Sequence, residues 1–248
     1  MMEEFNPFSL NDKTILVTGA SSGIGRGVAV TCAKMGATVL VNGRNQTKLE
    51  ETLSMMPAGG HGILVADLAK ADETQRLVEG LPKLDGIVHC AGMGERVLCK
   101  QISEHDLDTM MTVNFKAPVM LQTLILQKKK INRQASIVFV DSIATDTPTF
   151  GNALYGASKG ALLSYSKCLA LELAPRLIRV NCISPAMVWT DLIFKGGITE
   201  DELRENEKTY PLKRYGKPED IANLAVYLLS DASTWMTGSN VRITGGGH

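Results

Sequence analysis

No stretch of about 18 consecutive apolar residues occurs in this sequence, so no transmembrane helix is expected. Nor is there an excess of charge of either sign: Lys+Arg and Asp+Glu each number 26 in 248 residues. That balance offers no argument for nucleic acid or an anionic membrane as partner. The one dense basic cluster, Lys128-Lys129-Lys130, follows an apolar stretch at 119–126 and suits the C-terminal end of a helix, where cations complement the dipole. The five cysteines (Cys32, Cys90, Cys99, Cys168 and Cys182) are odd in number and contain no CxxC pair. Most lie in apolar segments and read as small core residues of a reducing, cytoplasmic compartment. His61, His89, His105 and His248 have no ligand-like spacing with them, so no metal is expected. The first ten residues carry Glu3 and Glu4 and lack an apolar core, and are not read as a signal peptide. The triplet Asn45-Gln46-Thr47 reads as a chance match to a glycosylation acceptor.

What is present is alternation. Short β-branched runs at 14–18, 38–42, 63–66, 86–90, 136–140, 179–183 and 241–244 read as strands. Helices are expected at 23–35, from near Gln46, and over 104–127, 152–173 and 218–229, with Gly36 placed as a C-cap. Strands and helices in turn imply right-handed crossovers and a parallel sheet covered on both faces. The expected fold is α/β, a Rossmann-like doubly wound parallel sheet of about seven strands in a single domain over 1–248. The least regular stretch, 185–215, holds Gly196-Gly197 and a charged run at 199–208. It reads as a mobile substrate lid over 186–215 with a short helix of its own.

Three features carry chemistry. Gly19, Gly23 and Gly25 fall between the first strand and the first helix, where glycine lets backbone approach a pyrophosphate and the helix N-terminus offers amides. The second strand ends in Val41-Asn42-Gly43-Arg44-Asn45, without the acid that NAD-preferring enzymes place there. Arg44 instead offers paired donors to a 2′-phosphate, so NADP(H) is expected in preference to NAD(H). Tyr155 and Lys159 stand four apart and share a helical face. A cation beside a phenol favours its charged form, which makes Tyr155 a candidate general acid–base group. Each feature has a plainer reading (a glycine-rich turn, a solvated arginine, a core-edge tyrosine). Their joint order argues against those readings.

From about Leu10 to Gly246 the chain resembles the short-chain dehydrogenase/reductase family. The family's TGxxxGxG is found at 18–25 and its Asp-Leu pair as Asp67-Leu68. Its Asn-Asn-Ala-Gly appears as His89-Cys90-Ala91-Gly92, with both asparagines replaced. Its Pro-Gly-x-x-x-Thr appears as Pro185-Ala186-Met187-Val188-Trp189-Thr190, with Ala186 in place of glycine. The resemblance implies cofactor contacts from Gly19, Ser21, Ser22, Gly23, Ile24 and Gly25 in the first turn. It implies others from Arg44, Asn45, Asp67, Leu68, Ala91 and Gly92, and from Tyr155, Lys159, Pro185, Val188 and Thr190. It also implies an active-site set of Asn114, Ser142, Tyr155 and Lys159. In that set Tyr155 donates a proton to a carbonyl oxygen and Ser142 hydrogen-bonds the same oxygen. Lys159 binds the nicotinamide ribose and supports Tyr155, and Asn114 holds a water in a relay from Lys159. Met187, with Ser142 and Tyr155, is expected to meet the substrate, and His89 and Trp189 are further candidates for the pocket wall. Asp141 stands where relatives often carry serine or glycine, and its role is left open.

The implied activity is NADP(H)-dependent interconversion of a ketone and a secondary alcohol. The chain is similar to 3-oxoacyl-[acyl-carrier-protein] reductases, and also to reductases of sugar acids, polyols and small ketones. Arg133 and Arg176 fall where carrier-dependent relatives bind the acidic carrier, although a helix-end arginine serves the dipole equally well. A generic ketone reductase ranks first, with a carrier-bound acyl chain as its leading specific substrate and a sugar acid or polyol as the alternative. A catalytically silent NADP(H)-binding regulator ranks below both, because such a protein should lack Tyr155 or Lys159. Relatives imply a homotetramer or homodimer built on 115–127 and 152–173. Ile125, Leu162, Leu163, Leu169 and Trp235 are apolar enough for an interface or for the core.

Overall fold

The β-branched runs become parallel strands of one sheet because each connection carries the chain back to the end where the previous strand began. The computed structural model describes residues 5–196 and 198–247. Its seven strands are β1 (Thr14–Thr18), β2 (Thr38–Gly43), β3 (Gly62–Val65), β4 (Leu84–His89), β5 (Ile131–Val140), β6 (Arg179–Pro185) and β7 (Asn240–Ile243). All are parallel and lie in the order β3-β2-β1-β4-β5-β6-β7. Val17 pairs with Val41 on one side and Val88 on the other. The helices are α1 (Gly23–Lys34), α2 (Gln46–Ser54), α3 (Ala71–Gly80), α4 (Glu104–Met111), α5 (Ala117–Gln127), α6 (Ala153–Leu173), α7 (Glu200–Glu207) and α8 (Pro218–Leu229).

Side chains alternate across a strand, so each strand feeds two cores. Ile15 and Val17 pack with Val28 of α1 and with Ile221 and Val226 of α8 on one face. Leu16, Ile137 and Phe139 pack with Leu121, Ile125 and Leu162 on the other. Every residue of β6 is buried, as expected of a parallel strand covered by helices on both sides. Leu121 and Ile125 are fully buried, and each contributes roughly 1.5–3 kcal/mol. Strand order reverses between β1 and β4, and the crevice for a ligand opens at their carboxyl ends. No helix among the described residues is long and apolar enough to cross a membrane.

The structure corrects several expectations. α3 was not expected: its stretch is mostly polar and buries only Thr74, Leu77 and Val78, a stripe too narrow to stand out as periodicity. β5 begins at Ile131 rather than 136. Its polar opening, Asn132-Arg133-Gln134, conceals a bulged start with Gln134 at φ +62. The helix expected over 104–127 is divided into α4, a π-helical turn at Thr112–Lys116, and α5. Ile125, Leu162 and Leu169 are core residues and not available to an interface. Leu163 is partly buried against the same core, and Trp235 is fully exposed. Cys32 and Cys182 are buried, but Cys99 and Cys168 are exposed. Of the basic cluster, Lys128 ends α5, while Lys130 Nζ donates to the Glu79 and Leu81 carbonyls at 3.0 and 2.6 Å and so caps α3.

Candidate active site

The turn from β1 into α1 runs against the end of β4. Gly19 adopts φ +65, and a Cβ there would fall 2.8 Å from the Ala91 backbone; at Gly25 it would collide with the Gly19 carbonyl. Only glycine keeps this path. Thr18 Oγ1 accepts from the Cys90 and Ala91 amides, both at 3.2 Å, which locks the two strand exits together. Ser22, the N-cap of α1, makes no side-chain capping bond, and the first turn carries no acid. The amides and dipole of that turn are therefore left for an anion. Beside them is a cavity of ≈ 490 Å³ lined by Ser21, Ser22, Gly23 and Ile24.

The far end of this cavity is formed by Arg44, Asn45, Asp67 and Leu68. Arg44 is exposed and makes no hydrogen bond or ion pair among the described residues. Asn45 also caps α2, accepting from the Lys48 amide at 3.0 Å. Lys48 lines the same cavity, a second cation beside Arg44 that sequence reasoning missed; its position four residues after Arg44 was the available signal. Asn42, in the same stretch, is buried and donates to the Leu64 and Ala66 carbonyls, so it ties β2 to β3.

A second cavity of ≈ 290 Å³ is lined by Ser142, Tyr155 and Lys159, three of the four candidate catalytic residues. Ile24, Cys90, Gly92, Thr190 and Leu192 line both cavities, which form one crevice. Ser142 follows the end of β5 and its Oγ accepts from the Ala144 amide at 3.1 Å. A Cβ on Gly156 would come within 2.8 Å of the Ala144 carbonyl, so its absence lets α6 press against that loop and bring Tyr155 beside Ser142. Lys159 is buried, and its Nζ donates to the Val140 carbonyl at 2.8 Å and lies 5.9 Å from the Tyr155 ring centroid. Asn114 sits in the π-helical turn, fully buried. Its Oδ1 accepts from the Met93 amide at 2.8 Å and its Nδ2 donates to the Met93 carbonyl at 2.9 Å. Gly92 is where these groups converge: a Cβ there would lie 3.3 Å from Asn114 Oδ1 and 3.5 Å from Lys159 Nζ.

Pro185, Met187, Val188 and Thr190 form the opposite wall. Ala186 stays out of the positive-φ region, so it replaces a glycine without strain. Two expected wall residues lie elsewhere. His89 is buried inside the sheet, stacked on Phe139 with centroids 4.5 Å apart, because β4 turns it away from the crevice. Trp189 faces α7, donating from Nε1 to Glu207 Oε2 at 2.8 Å under the Arg204 guanidinium. Arg176 donates to the Ile131 carbonyl at 2.8 Å, at the end of β5 opposite Ser142, and Arg133 is exposed near that same end. Sequence reasoning also passed over Glu95, Arg96 and Asn152, which line the substrate cavity from loops without periodicity. Cys90 borders both cavities as a neutral thiol, pushed up to about 12 by burial. No cluster of potential metal ligands occurs among the described residues.

Comparison with known proteins agrees with this geometry. A family profile described as enoyl-(acyl carrier protein) reductase matches residues 19–248. The 3-oxoacyl-[acyl-carrier-protein] reductase FabG of Rickettsia felis is 34% identical over 237 residues, covering 96% of this chain and 97% of that protein. The L-xylulose reductase of Caenorhabditis elegans is 32% identical over 245 residues, covering 96% and 97%. A crystal structure of a Beutenbergia cavernae protein, assigned as an NAD(P) dependent gluconate 5-dehydrogenase and holding NADP at low occupancy, superposes with a TM-score of 0.87. It is 31% identical, and the match covers 97% of this chain and 98% of that one. The chain belongs to the short-chain dehydrogenase/reductase family, oxidoreductases that bind a nicotinamide cofactor.

Proposed function

We propose that the protein is an NADP(H)-dependent reductase of ketones to secondary alcohols, with Tyr155 as proton donor. The observation that carries this reading is the convergence of Lys159 Nζ and Asn114 Oδ1 on Gly92, with the Tyr155 ring centroid 5.9 Å from the same Nζ, beside a crevice continuous with an open helix N-terminus. The tight turn that Gly19 and Gly25 permit leaves the amides at the start of α1 open, which fits a dinucleotide pyrophosphate. Arg44 and Lys48, with no acid beside them at the end of β2, fit a 2′-phosphate. Asp67 and Leu68 would flank the adenine, and Ala91 and Gly92 the adjoining ribose.

When bound, the reduced nicotinamide supplies a hydride to the carbonyl carbon. Tyr155 gives its proton to the carbonyl oxygen as negative charge develops there, and Ser142 Oγ hydrogen-bonds the same oxygen. Lys159 has three donors; one is held by the Val140 carbonyl, which leaves two for ribose hydroxyls and for charge support of Tyr155. Asn114 fixes the loop at Met93, and a water held beside it would return a proton toward Lys159. Val188 and Thr190 hold the carboxamide, with Pro185 behind them. Met187 packs on the substrate. Segment 186–215 acts as the lid, held together internally by Trp189–Glu207 and by Tyr215 OH, which donates to Asn206 Oδ1 at 2.6 Å. Exposed Met120 on α5 and Leu171 on α6 supply apolar surface for a homotetramer or homodimer.

The Rickettsia felis relative supports a 3-oxoacyl chain on a carrier as the substrate. Arg176, occupied with a strand carbonyl, adds nothing to that reading. A small hydroxylated ketone derived from a sugar acid or polyol is the second reading, favoured by Glu95, Arg96, Thr147, Thr149 and Asn152 in the cavity wall. The test follows NADPH oxidation with a 3-oxoacyl thioester and with keto sugars, in wild type and Tyr155→Phe. Turnover of either class, lost in Tyr155→Phe with NADPH binding retained, is expected. Tight NADPH binding without turnover of any ketone would favour a silent regulator.

A further inference from the structure

The substrate cavity is bordered by one ionisable side chain that the chemistry above does not use. Asp141 ends the run of β5 just before Ser142; it is buried, with 3% exposure, and still borders the cavity. Its Oδ2 lies 3.2 Å from Ser184 Oγ on β6, and its Oδ1 has no hydrogen-bond partner among the described residues. Ser184 has a single hydroxyl proton and two acceptors within reach, Asn240 Oδ1 at 2.7 Å and Asp141 Oδ2 at 3.2 Å. The shorter bond takes that proton. Asp141 Oδ2 then faces a lone pair of Ser184, an attractive arrangement only if Oδ2 carries a proton and donates it.

The orphan Oδ1 points the same way. A buried carboxylate with an unpaired oxygen costs far more than a neutral acid whose carbonyl oxygen is unpaired. The groups facing Asp141 come from three elements. Lys159 on α6 attracts its charged form, and Asp146, after the turn that follows β5, repels it. Cys182 on β6 is a neutral thiol pushed up to about 12, chiefly by burial. Tyr155 borders the same cavity. Burial prevails over the pull of Lys159 and of the adjoining Ser142 backbone amide, and pushes the Asp141 carboxyl up to about 6.

We propose that Asp141 is a positioning residue that matches the charge of the site to the oxidation state of the cofactor: neutral beside the reduced nicotinamide, and losing its proton to solvent when the oxidised, cationic ring occupies the cavity. This rests on the NADP(H) reading above. Coupling of this kind is reciprocal: if the cationic ring promotes ionisation of Asp141, ionised Asp141 tightens binding of the oxidised cofactor.

Dissociation constants for NADP+ and NADPH, measured by calorimetry at pH values on either side of about 6, test this in wild type and Asp141→Asn. Asparagine keeps the shape and can donate from Nδ2 to Ser184 Oγ, but it has no proton to lose. The ratio Kd(NADP+)/Kd(NADPH) cancels the titration of the 2′-phosphate, which both cofactors carry. In wild type the ratio falls as pH rises, by about fivefold for one unit charge at several ångströms in partly screened surroundings. In Asp141→Asn it stays at its acid-side value. A flat ratio in wild type, or the same slope in the variant, overturns the proposal. Failure of both cofactors to bind overturns the NADP(H) reading together with it. Infrared spectroscopy of the wild type near pH 6 gives an independent readout: the carbonyl band of a protonated carboxyl weakens on adding NADP+ and is kept on adding NADPH. A band left unchanged by NADP+ also overturns the proposal.

Discussion

Asn114 Nδ2 donates to Ser158 Oγ at 3.0 Å, joining the π-helical turn between α4 and α5 to α6 one residue before Lys159. The same amide group pairs with both backbone groups of Met93, so one side chain ties together the loop after β4, the α4–α5 junction and the lysine-bearing turn. Single π-helical turns recur at functional sites because the extra residue re-aims a side chain that a regular helix would direct elsewhere.

Replacing Asn114 by alanine removes these bonds and leaves the Met93 amide and carbonyl without partners. Each such loss costs on the order of 1–3 kcal/mol. We expect a lower Tm together with a fall in kcat of at least about tenfold, the scale of a displaced proton-transfer group. NADPH affinity should change less, because the phosphate cradle lies on other elements. Steady-state kinetics with thermal unfolding checks this; wild-type kcat in the variant would show that the junction does not position Lys159.

The proposed preference for NADP(H) makes Arg44 and Lys48 the pair that would select the cofactor. Charge-assisted bonds to a phosphate are worth about 1.5–3 kcal/mol each, so Arg44→Asp should weaken NADPH on the order of 100-fold through lost attraction and added repulsion, and should improve NADH. Lys48→Ala should weaken NADPH by about tenfold, as befits a point charge. Fluorescence titration with both cofactors decides the matter. Equal affinity of the wild type for NADPH and NADH would refute the phosphate role of this pair.

His89 makes the fold sensitive to acid. Its Nε2 lies 3.1 Å from Gln122 Oε1, its Nδ1 has no partner among the described residues, and burial pushes the imidazole down to about 4. Because the folded value lies below the unfolded one, the unfolded chain takes up this proton first as pH falls. The contribution is full above about 6.5 and is lost as pH falls through about 4, in total about 3 kcal/mol. Urea unfolding across that window should show a steeper acid-side loss in wild type than in His89→Asn. Parallel curves would count against a buried neutral imidazole.

Much of the site was legible because its parts are local in the chain. Gly19 to Gly25 form one turn, Tyr155 and Lys159 share one helical face, and the lack of an acid after β2 can be read directly. Lys48 was overlooked because a lysine near a helix start looks like any solvated charge. His89 was misplaced because side-chain direction at the end of a strand depends on register, and one residue of shift reverses the face; Trp189 lies beyond β6, where no period shows which way a side chain faces. Ile125, Leu162 and Leu169 show the converse limit: apolar periodicity says that a face is covered, not by what.

The chain's pattern of periods, turns and spaced polar residues determined the doubly wound sheet, the glycine-rich turn and the candidate reacting groups, since these follow from local geometry and the handedness of crossovers. Only the tertiary structure decided which of those groups meet. The close approach at Gly156, the π-helical turn that aims Asn114 and the pairing of β5 with β6 that buries Asp141 against Ser184 each join residues distant in sequence. Contacts of that kind depend on packing between elements and on how a buried polar group finds its partner, which no local pattern encodes.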